Sequence, residues 1–154
     1  MARFPLFSLP GSDDQIWTSK DLKGSPYVIY FYPKDQTPGC TTEACDFRDN
    51  IAAFNDVEIP VFGVSADSIA SHKKFIEKHD LNFVLLSDED HALAEKAGAW
   101  GEKMLYGKTS MGIIRSTFLV DADGMIAKAW LKVKVQDHVT EVLAAIEEHL
   151  EPEE

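Results

Sequence analysis

The amino-acid sequence predicts an α/β fold with a mixed central sheet and helices on both faces. Strand-like and helix-like segments alternate along its 154 residues, with no repeat and no linker between them. Residues 27–32 form a continuous apolar run, which is typical of a strand buried on both faces. A predicted hairpin and an amphipathic helix follow near the carboxyl end, so the sheet combines parallel and antiparallel pairs. At roughly 100–200 residues per domain, we expect residues 1–154 to form a single domain.

The first half of the chain supplies the parallel part of this sheet. A Gly-Ser-Pro turn precedes the strand at residues 27–32, and a loop at residues 33–39 follows it. The next predicted elements are helix 40–55, strand 59–65, helix 68–79, strand 82–86 and helix 90–97. In helix 68–79 the apolar stripe consists of Ile69, His72 and Ile76, with the stem of Lys73 at its border.

The second half predicts the antiparallel part. Residues 98–113 are rich in glycine, so we expect a long loop whose aromatic and methionine side chains either cover a site or close the edge of the core. Residues 116–120 and 125–131 flank an Asp-Ala-Asp-Gly turn and predict a hairpin. The final helix carries a clear apolar stripe, formed by Val135, Val139, Val142, Leu143, Ile146 and Leu150. The acidic tail, residues 147–154, is expected to be a solvated, frayed helix end rather than a partner-binding segment.

Composition excludes several classes of protein. The formal charge is 15 − 26 = −11, which argues against nucleic-acid binding because that function needs a basic surface. No apolar run approaches the roughly 20 residues that span a bilayer. The first residues lack the pattern of a secretory signal. We therefore expect a soluble, cytoplasmic protein that binds neither nucleic acid nor membrane.

Cys40 and Cys45 are the two cysteines, and their spacing narrows the chemistry. The C-x-x-x-x-C spacing differs from the C-x-x-C of thioredoxin-type oxidoreductases. A structural zinc ion takes about four ligands, and the first histidine is His72, so we expect no metal site. Two interpretations remain open from the spacing alone: a reactive cysteine with a partner, or two cysteines that only pack in the core.

The start of helix 40–55 favours reactivity at Cys40. Pro38 suits a first helical position, which places Cys40 in the first turn, near free backbone N–H groups and the positive end of the helix dipole. Such a helix end contributes about 0.3–2 kcal/mol. Holding an ordinary thiol ionised near neutral pH requires about 3.4 kcal/mol. We therefore expect a fixed cation, in the form of an arginine, together with a hydroxyl group near the sulfur.

The pattern Pro33-x-x-x-Thr37-x-x-Cys40, followed by Glu43, resembles the active-site signature of the peroxiredoxins. With Cys45 five residues after Cys40, the segment is similar to the bacterioferritin-comigratory or peroxiredoxin Q group. Residues 7–10, 61–65 and 112–121 also resemble segments of that family, so the likeness covers nearly the whole chain. The resemblance implies a thioredoxin-like fold and a thiol-dependent peroxidase that needs no cofactor and no metal.

The resemblance implies roles for individual side chains. Cys40 would attack the peroxide and become a sulfenic acid, while Thr37 would hydrogen-bond the peroxide and the thiolate. Arg115 would supply the expected cation, Pro33 would shape the pocket, and Glu43 would orient the arginine. Taken alone, four of these residues have structural alternatives. Thr37 would be an N-cap that accepts from the Cys40 N–H, and Arg115 would form an ion pair on an edge strand. Pro33 would terminate a strand, and Glu43 would be a partner of the helix dipole.

The resemblance also implies that Cys45 resolves the sulfenic acid as an intramolecular disulfide, which a thioredoxin or similar dithiol protein then reduces. A monomer is the default expectation. On one helix, positions i and i+5 place their Cα atoms roughly 8.7 Å apart, whereas a disulfide needs less than about 7 Å. We therefore expect the intervening turn to unwind. The alternatives are a disulfide reductase, which would need C-x-x-C, and a disulfide-switched redox sensor or chaperone-like binding protein.

Overall fold

The computed structural model describes residues 2–105 and 107–150. Its elements in chain order are β1 (Ser8–Pro10), β2 (Ile16–Thr18), α1 (Ser19–Leu22), β3 (Tyr27–Phe31), α2 (Pro38–Asp56), β4 (Val61–Ser65), α3 (Ile69–His79), β5 (Val84–Ser87), α4 (Ala92–Ala97), β6 (Trp100–Leu105), β7 (Lys108–Ile113), β8 (Ser116–Val120), β9 (Ile126–Leu131) and α5 (His138–His149).

The central sheet has five strands in the order β5-β4-β3-β8-β9. Strands β3, β4 and β5 run parallel, and β8 and β9 add antiparallel pairs, so the prediction of a mixed sheet is confirmed. Every residue of β3, β4 and β8 is buried, in keeping with their continuous apolar sequences. In open α/β sheets, ligands bind beyond the carboxyl ends of the parallel strands. At β3 that end leads through Tyr32 into Pro33.

Helices cover both faces of the sheet, as predicted. On one face, α2, α3 and α5 enclose a core that includes Phe47, Phe75 and Val142. On the other face, α4 and the amino-terminal segment enclose a second core around Phe62 and Phe118. Among the described residues, none of the helices combines the length and apolar character needed to cross a membrane.

Residues 98–113 correct the prediction of a loop. They form a hairpin in which β6 and β7 pair along their whole length, and Gly107, with φ = 76°, lies in the connection. Gly101 and Gly112 are partners inside the ladder, and a Cβ at Gly101 would lie 2.8 Å from the side chain of Ile114. Glycine at that position therefore serves close packing within a strand, and its presence suggested a loop. The side chain of Met104 and all of Tyr106 lie outside what the structure describes.

Two helix stripes differ in detail from the prediction. In α3 the buried residues are His72 and Phe75, while Lys73 is exposed and pairs with Asp14 at 2.7 Å. In α5 the predicted stripe is confirmed from Val139 onward, but Val135 precedes the helix. The sequence patterns did not predict the short elements β2 and α1, which place Trp17 and Leu22 against the second core. Of the acidic tail predicted at residues 147–154, residues 147–149 are exposed and belong to α5, and residues 151–154 lie outside the described residues.

Candidate active site

Cys40 lies in the first turn of α2, two residues after Pro38, which is the first helical residue. Its side chain is almost fully buried, with 1% exposure. Backbone Thr41 N–H donates to the Thr37 carbonyl at 2.8 Å, so the first turn is regular around the cysteine. The predicted placement of this thiol at the beginning of a helix is therefore observed.

The pairing of β3 with β8 brings Arg115 to the same sheet edge as Cys40. Phe31 at the end of β3 faces Ser116, and Arg115 immediately precedes Ser116. Arg115 Nη2 donates to Cys40 Sγ at 3.4 Å. Gly39 permits this approach, because a Cβ at residue 39 would lie 3.1 Å from Nη2. Sequence reasoning missed Gly39, although its place directly before the cysteine was a usable signal.

Glu43 accepts a hydrogen bond from the second terminal nitrogen of the Arg115 guanidinium. Arg115 Nη1 donates to Glu43 Oε1 at 2.7 Å, and the two side chains are 17% and 1% exposed. Burial raises the pKa of Glu43 to about 7, and the ion pair with Arg115 acts in the opposite direction. Burial acts to lower the pKa of Arg115, but the charges of Glu43 and Cys40 outweigh it and raise that pKa. The geometry thus forms a hydrogen-bonded chain from carboxylate to guanidinium to sulfur.

Tyr30 is a site neighbour that the sequence analysis did not single out. Its ring stacks on Phe47 with centroids 4.6 Å apart, and its hydroxyl end lies against Gly63. Burial, followed by the negative charges of Glu43 and Cys40, raises the pKa of Tyr30 well above its usual range. Within the described part of the chain, Tyr30 Oη and Glu43 Oε2 have no hydrogen-bond partner. The available signal was strand parity, because Tyr30 shares its face of β3 with Val28, which packs in the same core.

Thr37 and Pro33 lie close in sequence to Cys40 but belong to the loop that precedes α2. Thr37 occupies the N-cap position, and its hydroxyl donates to the Lys34 carbonyl at 2.9 Å. Among the described residues it makes no side-chain cap bond, so the alternative of an N-cap accepting from the Cys40 N–H is not observed. Pro33 is half-buried at the end of β3.

Both cysteines lie on α2 as free thiols, Cys40 buried and Cys45 half-buried. The expectation that residues 40–45 are helical in the reduced protein is therefore met. Of the six predicted side chains, the structure joins Cys40, Glu43 and Arg115 by hydrogen bonds. Within the described ranges, no group of three or more His, Cys, Asp or Glu side chains is arranged to hold a metal ion.

Comparison with known proteins agrees with this geometry. A family model described as the AhpC/TSA family matches residues 2–129. The chain belongs to this family. The peroxiredoxin Bcp of Bacillus subtilis (strain 168) is 50% identical over 144 residues, covering 94% of this chain and 92% of that protein. The resemblance of the sequence motifs to peroxiredoxins of the Bcp/PrxQ type is thereby confirmed. The chain is a thiol-dependent peroxidase.

Solved structures of peroxiredoxins share the fold. Peroxiredoxin Q of Xanthomonas campestris superposes with a TM-score of 0.88 at 44% identity, covering 93% of this chain and 90% of that chain. The Xanthomonas campestris bacterioferritin comigratory protein gives the same TM-score at 43% identity, with coverage of 93% and 91%. The thioredoxin-like fold expected for this peroxiredoxin is therefore confirmed.

Proposed function

We propose that this peroxiredoxin reduces hydrogen peroxide and alkyl hydroperoxides through Cys40, uses Cys45 to form an intramolecular disulfide, and is recycled by thioredoxin or a similar dithiol protein. The observation that carries the proposal is the 3.4 Å contact between Arg115 Nη2 and Cys40 Sγ at the beginning of a helix. The similar Xanthomonas campestris protein has been described for its alkyl peroxide reduction activity, which supports the substrate class.

In the first step the Cys40 thiolate attacks one peroxide oxygen, the O–O bond breaks, and the departing oxygen takes a proton to leave as water or an alcohol. Negative charge moves from sulfur to the departing oxygen in the transition state. Arg115 contacts the sulfur at 3.4 Å and is held by Glu43 at 2.7 Å, so we expect its charge to stabilise the negative charge that develops on the departing oxygen. Thr37 is proposed to donate to the peroxide, which requires its hydroxyl to leave the Lys34 carbonyl.

In the second step the Cys45 thiol attacks the Cys40 sulfenic acid, forming the disulfide and releasing water. The two cysteines are five positions apart on one helix, with Cα atoms roughly 8.7 Å apart, beyond the reach of a disulfide. The turn between them, which contains the β-branched pair Thr41 and Thr42, must therefore unwind. Two thiols of the reductant then reduce the disulfide by thiol–disulfide exchange.

The test compares Cys45→Ser and Cys40→Ser with the unchanged protein. Cys45→Ser should retain one rapid oxidation by peroxide but lose turnover driven by thioredoxin, and Cys40→Ser should lose both. Stopped-flow oxidation of the reduced protein followed by intact-mass analysis measures each step. Full turnover by Cys45→Ser would remove its proposed role. A single slow oxidation with no steady turnover would favour the redox-sensor alternative.

The remaining features are proposed on the same basis. We propose that residues 1–154 form a single domain and that the protein acts as a monomer. Light scattering coupled to gel filtration tests the oligomeric state. A cycle that depends on a dithiol reductant fits a reducing compartment, and the cytoplasm is the proposed location.

A further inference from the structure

A buried polar cluster lies beside the active-site loop, outside the residues that contact Cys40. The Asp35 carboxylate, in a residue only 6% exposed, accepts from the hydroxyls of Tyr32 at 2.5 Å and Ser71 at 2.8 Å. It also contacts His72 Nδ1 at 2.7 Å. The backbone N–H of Asp35 donates to Asp67 Oδ2 at 2.8 Å. Asp35 belongs to the loop that leads to Cys40, whereas Ser71 and His72 belong to α3.

Both ring nitrogens of His72 are occupied by hydrogen bonds. Nδ1 pairs with the Asp35 carboxyl, and the second nitrogen, Nε2, lies 2.9 Å from the Leu86 carbonyl. His72 is fully buried, and removing one partner from a buried, satisfied hydrogen-bond network leaves the other group without a partner, which is costly. The loop before Cys40 is therefore firmly attached to the amino-terminal part of α3.

The other end of α3 holds the chain beyond Cys45. Arg48 lies three residues after Cys45, and its Nη1 donates to the carbonyl of His79, the last residue of α3, at 2.7 Å. Just after α3, the Asn82 side chain donates to the Arg48 carbonyl at 3.3 Å. Carbonyls at the end of a helix lack intrahelical partners, so Arg48 satisfies one of them. Both ends of the segment that carries the two cysteines are therefore attached to one helix or its immediate end.

We propose that α3 is a clamp that confines unwinding during the redox cycle to residues 36–47, with Asp35, His72 and Arg48 as its positioning residues. The inference rests on the proposed function, because unwinding serves the formation of the Cys40–Cys45 disulfide. Neither the Asp35–His72 contact nor the Arg48 side chain touches the peroxide or the reacting sulfur. They act by fixing the two points between which the chain opens and to which it returns.

Chain length gives the clamp a second consequence. Five residue steps can reach about 17 Å when unwound, whereas the disulfide brings the Cα atoms of Cys40 and Cys45 within about 7 Å. The residues between the two cysteines must therefore form a bulge. Because both ends of the segment are held at α3, we expect this bulge to be accommodated between residues 36 and 47, where the disulfide becomes accessible to a dithiol reductant. Fixed ends also limit the entropy that the open loop gains, which favours reassembly of the Cys40–Arg115 contact.

Hydrogen–deuterium exchange of the reduced protein tests the clamp directly. In Asp35→Ala, amides of residues 41–47 should exchange at least tenfold faster, as expected when several buried hydrogen bonds are lost together. Asp35→Asn should exchange within about threefold of the unchanged protein. Its oxygen can still accept from Tyr32, and its NH₂ group can donate to Ser71 and to His72 Nδ1. The matched control is Val120→Ala, which removes fully buried methyl groups at the far end of β8.

Arg48→Met tests the downstream end, because fast exchange should then extend past residue 48 toward Asp56. Faster exchange confined to α2 in Asp35→Ala and Arg48→Met, absent in Val120→Ala, supports the clamp. Unchanged exchange at residues 41–47, or an increase spread evenly over all elements, overturns it.

Measuring the peroxide turnover of the same samples distinguishes a failure of the clamp from a failure of the proposed function. An inactive unchanged protein would remove the proposed function and leave the exchange result standing. In an active enzyme, Asp35→Ala should also form about tenfold less sulfinic acid per disulfide, because easier unwinding competes with over-oxidation. An unchanged ratio would overturn the clamp alone.

Discussion

Replacing Glu43 by glutamine removes a buried charge and keeps the shape of the site. The amide oxygen of Glu43→Gln can still accept from Arg115 Nη1, where the carboxylate oxygen lies at 2.7 Å. The change therefore isolates the ionisation of Glu43, whose pKa rises from its ordinary value of 4.5 to about 7 because the side chain is buried. Folding stability should report this shift through its dependence on pH.

The sign follows from proton binding. Between pH 4.5 and pH 7 the folded protein keeps a proton on Glu43 that the unfolded chain has released. The free energy of unfolding therefore falls as pH rises through this window, by about 1.4 kcal/mol per pH unit at most. Integrated from pH 5 to pH 8, the contribution of this residue to stability decreases by roughly 2 to 3 kcal/mol. The glutamine variant lacks this contribution, so it should gain stability relative to the unchanged protein as pH rises.

Urea denaturation of both reduced proteins at pH 5, 6, 7 and 8 measures the difference. The stability of the unchanged protein minus that of Glu43→Gln should fall by roughly 2 to 3 kcal/mol across the series. A matched control, Glu147→Gln, removes the same charge from an exposed face of α5, and its difference should change by less than about 0.5 kcal/mol. A difference that stays constant or rises with pH for Glu43 would show that the ion pair with Arg115 outweighs burial, and the reasoning would be wrong.

Three further substitutions test other contacts. Gly39→Ala should leave stability unchanged or slightly higher, because alanine is the better helix former. Its Cβ, 3.1 Å from Arg115 Nη2, should slow Cys40 oxidation about tenfold in stopped-flow measurements, and an unaffected rate would contradict the close approach. Thr37→Val should slow peroxide reduction by about two orders of magnitude while unfolding free energy changes by less than about 1 kcal/mol; a loss of stability alone would make the hydroxyl structural. Burial, with a smaller effect of Arg115, lowers the pKa of His138 to about 4, so stability is lost as pH falls from 6.5 to 4. His138→Gln should remove about 2 kcal/mol of this acid dependence between pH 7 and pH 4.5 in the same urea assay, and an identical slope would refute the shift.

The sequence predicted the catalytic elements because their signals are local. Pro38 marks the start of α2, and the apolar run of β3 marks the strand before it. Arg115 was placed by its resemblance to a family segment, and its approach to Cys40 depends on the antiparallel pairing of β8 with β3. That pairing is a long-range contact, which no local pattern encodes.

The missed features have the same physical origin. Glycines within a ladder and glycines within a loop look alike in a sequence, so the β6–β7 hairpin was predicted as a loop. His72 matched an apolar stripe by its spacing, but its partner Asp35 lies 37 positions earlier and gives no periodic signal. Phe75 shares the core-facing side of α3 with His72, but the apolar stripe predicted from the sequence does not include Phe75. Tertiary neighbours decide such cases, and a single sequence does not contain them.

The shared guanidinium explains why the raised pKa of Glu43 suits the chemistry. Arg115 faces two acidic groups, with Nη1 toward Glu43 and Nη2 toward Cys40. In a site this buried, one cation stabilises one anion far better than two, so a charged carboxylate at Glu43 reduces the stabilisation that Arg115 gives to negative charge at the sulfur. Burial of Glu43 limits that reduction, because a carboxyl with a pKa of about 7 is partly neutral where an ordinary glutamate is fully charged. Glu43 can therefore orient Arg115 through a hydrogen bond while leaving much of its charge to the sulfur. An aspartate or glutamate exposed to solvent at the same distance would orient the arginine equally well and would neutralise it.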